Sequence, residues 1–297
     1  MEQAFALDPT DARIFMELDQ LYKVTGRSIE ERLSMLHQYP ALVEQRDDLY
    51  LERITLFNNT GAYETARQLL ATRQFHPWEG GEGKVIGQFL LCHLGLARQC
   101  LLNEQYHEAL DLLSTLSVYP ENLGEGKLYG TQENDIQYLM GCAYEGLREK
   151  EKAAACFRSA TIGISEPVQA IYYNDPQPDK IVYQALAWRK LGRPEKAEQI
   201  FRKLVDFGGE HLNDEIRIDY FAVSLPDMLV FDVDLNLRNK LHCTYLVALG
   251  HLGLGNYGPA IDMLHQVLGM DINHQGAATH LKMIPFFTAN ANVLTQV

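Results

Sequence analysis

Two short stretches carry residue types that could do chemistry. Gly81-Glu82-Gly83-Lys84 and Gly124-Glu125-Gly126-Lys127 are each followed, after two intervening residues, by a further glycine. A glycine-rich loop closing on lysine has the composition of a phosphate cradle, where backbone N–H groups wrap the anion and the ammonium neutralises it. The spacing argues against that chemistry. A phosphate loop needs glycine five residues before its Gly-Lys pair and Ser or Thr directly after it. Here Trp78 and Glu121 stand at the first position, and Val85 and Leu128 at the second. Gly83 and Gly126 are 43 residues apart, a spacing that belongs to internal repeats.

Other candidate chemistry fails in similar ways. Asp232, Asp234 and Asn236 match the first alternating ligands of a calcium loop, but Leu237 stands where glycine is needed and Cys243 where a glutamate should close it. Asp234 or Asn236 is better read as a helix N-cap. Cys92-His93 and His242-Cys243 sit on apolar helical stretches, and the ten histidines form no HExxH pattern. No catalytic, cofactor-binding or metal-binding residue is assigned. A net charge of −13 with no cluster of basic residues opposes binding to nucleic acid or to an anionic membrane. The N-terminus lacks the basic and apolar regions of a signal peptide, and no uninterrupted apolar run reaches bilayer length. Five scattered cysteines without a CxxC pair fit a reducing cytosol.

The elements that must position these residues are helices. Ile136, Leu139, Met140, Ala143, Tyr144 and Leu147 form one apolar stripe, and Ala153, Cys156, Phe157 and Ala160 form a second after a charged turn. Two helices joined so closely predict an antiparallel hairpin. Ala66, Ala109, Ala153, Ala197 and Ala260 occupy equivalent positions, with separations of 43, 44, 44 and 63 residues. The spacing predicts an all-α, α-α superhelix of about six hairpins. These lie near 10–38, 47–73, 85–117, 133–162, 179–206 and 239–269, with a capping helix at 273–284 that ends a single repeat domain over 1–284, and a tail at 285–297.

Gly141, Tyr144, Ala153, Phe157 and Ala160 resemble the tetratricopeptide repeat (TPR) pattern, where a small residue lets helices approach and an aromatic fills the space beside it. Each unit is about ten residues longer than the plain repeat of about 34. The connections "HPWEGGEGKV" and "NLGEGKLYGTQENDIQYLMGCAYEGL" are similar to the C-terminal TPR region of large bacterial proteins with an N-terminal β-rich domain of unknown function. That resemblance implies a cytoplasmic protein whose β-rich half resembles carbohydrate-active folds, and the groove, the missing N-terminal cap and the absence of catalytic signatures point to a non-catalytic protein-interaction or scaffold module, docking on such a β-rich domain or on another subunit. The alternative it implies is accessory carbohydrate handling, with a glycan held by the inter-repeat loops. Ala4 falls in the second helix of an earlier unit, so the chain is expected to be part of a longer protein or to dock its N-terminus on a partner.

Two sets of residues are candidates for recognition. The first helices of the hairpins are expected to line a partner-binding groove with Asp135, Tyr138, Cys142, Glu145, Asp179, Arg189, His242 and Tyr245. The long connections are expected to form a recognition edge with Trp78, Glu82, Lys84, Glu125, Lys127, Tyr129, Tyr172, Tyr173, Asn174 and Asp175.

Overall fold

The computed structural model describes residues 1–78, 80–169, 177–216 and 234–292, the side chains of 289–292 excepted. Every regular element among them is helical. The sequence reads as one repeat domain, but the chain packs into two compact units.

The first unit comprises Met1–Leu96 and Ser114–Tyr129. It holds α1 (Glu2–Leu7), α2 (Ala12–Val24), α3 (Ile29–Gln38), α4 (Pro40–Gln45), α5 (Asp47–Thr60), α6 (Tyr63–Thr72) and the start of α7 (Lys84–Leu102). Short polar residues begin these helices. The Asp11 carboxylate accepts from the Arg13 and Ile14 amides at 2.7 and 3.1 Å. Ser28 and Glu31 form a reciprocal capping box. Phe5 stacks on Phe15 at 5.0 Å, with Tyr39 edge-on, which joins α1 to α2 and to the start of α4. A buried ion cluster ties α2, α3 and α5 together. Arg32 donates to Asp19 at 3.1 and 2.8 Å and to Glu52 at 2.7 Å, and Lys23 reaches Glu52 at 3.2 Å. Burial and the Glu52 charge push the Asp19 carboxyl up. Burial also opposes ionisation of Glu52, but Lys23 and Arg32 outweigh it and hold that carboxyl at about 2.

The second unit comprises Ala97–Leu113 and the described residues from Gly130 onward. It contains the end of α7, α8 (Tyr106–Ser114), α9 (Asn134–Gly146), α10 (Lys150–Ala160), α11 (Pro178–Lys190), α12 (Pro194–His211), α13 (Leu235–Leu254), α14 (Tyr257–Met270), α15 (Gln275–Lys282) and α16 (Ile284–Asn292). Helices pack in sequence order: α9 on α10, α11 on α12, α12 on α13, and α13 on α14. Close approach rests on glycine beside an aromatic ring. A Cβ on Gly141 would meet the Phe157 ring at 2.4 Å, and one on Gly253 would meet Phe201 at 2.1 Å. Ala109, Ala153, Ala197 and Ala260 are buried in this unit, as Ala66 is in the first. Asp234 caps α13, accepting from the Asn236 and Leu237 amides at 2.9 and 3.2 Å. Asn236 instead accepts from the Ile216 amide.

Two features depart from the sequence reading. Helix α16 occupies most of the segment read as a tail. Pro285 falls in its first turn, where a missing N–H costs nothing, and Phe286 and Phe287 are buried. Helix α7 is long and apolar enough to cross a bilayer by length and composition. Its apolar residues, among them Val85, Phe89, Cys92, Leu94 and Ala97, are nonetheless buried in protein, as in a core helix.

Candidate functional site

The two GEGK loops lie side by side in the first unit. The second loop is stitched onto the first by its backbone and by Asn122. Phe75 donates its amide to the Asn122 carbonyl at 2.8 Å, and the Asn122 side-chain amide donates to the Leu70 and Arg73 carbonyls, both at 2.8 Å. Glu125 completes the junction by accepting the Gly83 amide at 2.8 Å. That amide is an orphan donor at the N-terminus of α7, so a carboxylate from one loop caps the helix that follows the other.

The loops share letters but not backbone. In the first, Gly83 is left-handed (φ 71°) and leads directly into α7. In the second, Gly124 is left-handed (φ 78°), while α9 begins only at Asn134. The sequence places them as equivalent linkers; the structure corrects this. The first loop must turn straight into a helix, whereas the second must first lie down on the first. Gly124 is constrained twice, since a Cβ there would fall 2.9 Å from the Phe75 carbonyl oxygen.

Between the loops is a cavity of 300 Å³ lined by His76, Pro77, Trp78, Gly81, Glu82, Val85, Leu123 and Glu125. The Trp78 indole lies over Gly81, where any Cβ would come within 2.3 Å of the ring. His76 is held from below: Asp47 accepts its backbone N–H at 2.9 Å and lies 3.2 Å from Nδ1. Burial raises the Asp47 carboxyl, but the His76 N–H and the Arg73 guanidinium outweigh it and keep that group below its usual range. Three candidates from the sequence, Trp78, Glu82 and Glu125, therefore meet at one cavity. The others do not. Lys84 is exposed at the start of α7. Lys127 donates to the carbonyls of Leu116 and Ser117 at 3.3 and 3.1 Å. Tyr129 is fully exposed. Tyr172, Tyr173, Asn174 and Asp175 lie outside the described residues. His76, Pro77, Val85 and Leu123 were not singled out in the sequence, because nothing in their spacing shows that Asn122 and Glu125 fold back onto residues 70–83.

The expected groove in the second unit is largely closed. Tyr138, Cys142 and Tyr245 are buried, as is Asp135, whose carboxylate meets Lys180 at 2.6 Å. Tyr138 packs on Tyr183 at 5.6 Å and on Phe157 at 5.8 Å. The partly exposed candidates are engaged. Glu145 pairs with Lys190 at 2.5 Å, Arg189 donates to the Gly253 carbonyl at 2.5 Å, and His242 donates to the Val168 carbonyl at 2.7 Å. Asp179 is half-buried at the first turn of α11. The C-terminal helices supply the covering. The Tyr183 hydroxyl meets Met283 Sδ at 3.6 Å, and the Tyr245 hydroxyl lies 2.9 Å from His280 Nδ1. A Cβ on Gly276 would fall 2.5 Å from that hydroxyl. Helix α15 thus seats on α13 through a glycine–tyrosine contact, and Met283 closes over α11. The correction has a plain cause: the face opposite one packing stripe is not free when later helices of the same chain fold back over it.

The hairpin of α9 and α10 fits one repeat family. Residues 135–161 match the model of the tetratricopeptide repeat. The regular elements among the described residues are all helical, and the match to the repeat covers this one hairpin. A similar solved structure is the crystal structure of the APC/C hetero-tetramer Cut9-Hcn1, at 15% identity and a TM-score of 0.40. The alignment covers 95% of this chain and 44% of that one, so this chain spans less than half of its length.

The cysteine–histidine pair on α7 is not an activated nucleophile. Cys92 Sγ lies 3.4 Å from His93 Nδ1, but both groups also point at the Phe89 carbonyl. Burial pushes the Cys92 thiol up to about 12 and pushes the His93 imidazole down. An ion pair that would generate a thiolate is disfavoured at both partners. Cys142 is likewise held at about 12 by burial. Among the described residues no group of three His, Cys, Asp or Glu side chains is arranged to hold a metal ion.

Proposed function

We propose that this chain is a non-catalytic protein-interaction module of TPR type that works in the cytoplasm. It engages its partner through the edge formed by the two GEGK loops rather than through the face of α9, α11 and α13. One observation carries this reading: on that face α11 and α13 are met by the chain's own C-terminal helices, while the loop edge presents an open cavity, and Leu128 and Tyr129 of the second connection are exposed. The partner is a β-rich domain of the same protein or of another subunit, as the loop sequences imply. Co-expression of the chain with such a domain tests it. Association at micromolar concentration is expected, and it is weakened by Trp78→Ala and Tyr129→Ala together. Absence of association at that concentration sinks the reading.

A second reading is a glycan held by the same loops. An indole and two carboxylates in a 300 Å³ cavity favour it. Thermal-shift titration with mono- and oligosaccharides decides. Stabilisation at millimolar sugar is expected if it holds, since a ligand that binds only the native state raises the melting temperature.

A further inference from the structure

We propose that the cavity between the loops receives a basic side chain, the guanidinium of arginine or the ammonium of lysine, presented by the partner protein. This rests on the protein-interaction reading above and names the chemistry by which that edge would recognise its partner.

The inference follows from which hydrogen-bonding groups line the cavity. Glu82 and Glu125 are carboxylates, which when ionised only accept. Glu125 spends one oxygen on the Gly83 amide, leaving its other oxygen, like the Glu82 carboxylate, without a partner among the described residues. His76 has its Nδ1 against the Asp47 carboxylate, so Nδ1 carries the proton and a neutral ring offers Nε2 as a third acceptor. Apart from His76 Nδ1–H, which faces Asp47, the Trp78 indole N–H is the one side-chain donor on the lining among the described residues. A sugar hydroxyl both donates and accepts and is served by mixed groups. A guanidinium or ammonium only donates, and an acceptor-rich lining is its complement.

The apolar part of the lining fits the rest of such a side chain. Pro77, Val85 and Leu123 offer walls for a methylene stem, which long basic side chains bury while keeping the charge among polar groups. The indole, fixed over Gly81 by the lack of a Cβ, offers a ring of the kind that attracts cations. No Lys or Arg lines the cavity among the described residues. Arg73 is engaged by Asp47 and Glu44, Lys127 donates to the carbonyls of Leu116 and Ser117, and Lys84 is exposed at the start of α7 outside the lining. Glu82 and Glu125 thus bring two carboxylates to the lining of a cavity on a chain of net charge −13.

The test uses the whole chain and its two tryptophans, Trp78 and Trp188. Their indole N–H resonances are followed by NMR, assigned with Trp188→Phe, during titration with N-acetyl-arginine amide and separately with methyl glycosides. The Trp78 signal is expected to shift saturably with the arginine amide while Trp188 stays in place. In the Glu82→Gln/Glu125→Gln double variant the apparent Kd is expected to weaken at least about tenfold, as charge-assisted hydrogen bonds are lost. Glutamine at 125 keeps an acceptor for the Gly83 amide, so the loops stay joined, and circular dichroism verifies the fold. A saturable shift with glycosides and none with the arginine amide overturns the proposal, as does no saturable shift with either. Partner association that is equal in the wild type and the double variant also overturns it, while leaving the interaction reading intact. If the wild type captures no β-rich partner, the interaction reading fails on its own, and the arginine titration still judges the cavity.

Discussion

At the scale of single residues, the repeat turns show a regularity with two exceptions. Gly26, Gly61, Gly192 and Gly255 close their turns with φ between 73° and 88°. Glu104 and Arg148 adopt the same left-handed conformation, at 58° and 62°, without being glycine. A Cβ in that region costs about 1–2 kcal/mol, partly offset by the greater freedom glycine has when unfolded. Arg148→Gly is therefore expected to stabilise the protein by about 0.5–1 kcal/mol, read from the urea midpoint. The reverse holds where glycine makes room for a ring. Gly253→Ala would drive a methyl into Phe201, 2.1 Å away, and is expected to cost about 1–3 kcal/mol. The turn glycines and the packing alanines were legible from their spacing. The need for a bare Cα at Gly81 or Gly276 was not, because the rings that demand it, Trp78 and Tyr245, touch them only after folding.

At the scale of elements, polar groups at helix junctions carry the specificity. Asp19, Arg32 and Glu52 come from three helices and are all buried. Removing the cation leaves two carboxylates without it in the interior, so Arg32→Ala is expected to cost about 3–5 kcal/mol in equilibrium unfolding. Replacing all three by apolar residues of similar volume should cost much less. The junction of α13 and α15 makes stability depend on pH. His280 Nδ1 lies 2.8 Å from the Gly276 carbonyl and 2.9 Å from the Tyr245 hydroxyl, and Nε2 is buried with no partner. Burial pushes the imidazole down to about 4, against the opposing charge of Asp179. The unfolded chain binds this proton near its ordinary value of 6.5, and the folded chain only near 4. The stability contributed by keeping His280 neutral is therefore complete above about 6.5 and is lost as pH falls from there towards 4. Between pH 7 and 5 the loss is roughly 2 kcal/mol. Denaturation of the wild type and His280→Gln at both pH values checks this, with a smaller difference expected in the variant. If the two proteins lose stability equally, the other buried histidines are responsible instead.

At the scale of the whole molecule, charge is the property most open to test. A net charge of −13, together with an acidic cavity rim, steers a basic partner toward the loop edge. Raising ionic strength from about 0.05 to 0.5 M is expected to slow association with little change in dissociation, as measured by surface plasmon resonance, because screening acts on the encounter more than on the docked contacts. A dissociation rate that rises in parallel would instead place the charged contacts within the desolvated interface. The closed face of α9, α11 and α13 is also a whole-chain property. Tyr245 becomes internal because α15 follows it more than thirty residues later in the chain, and Tyr138 because Phe157 and Tyr183 pack on it.

Helix content, hairpin register, the buried alanines and the N-cap at Asp234 were written in the local sequence, since apolar periodicity and capping chemistry act within a few residues. The same local reading found Trp78, Glu82 and Glu125. It also gave the two GEGK loops one role, because identical letters at equal spacing carry no record of what each loop lies against. The tertiary structure decided that Glu125 caps α7, that Asn122 seals residues 70–75, and that the C-terminal helices cover the expected groove. Each of these contacts joins residues about 40 to 100 positions apart. Such pairings depend on which surfaces remain unburied once the hairpins have stacked, and that is a property of the packed array rather than of any one segment.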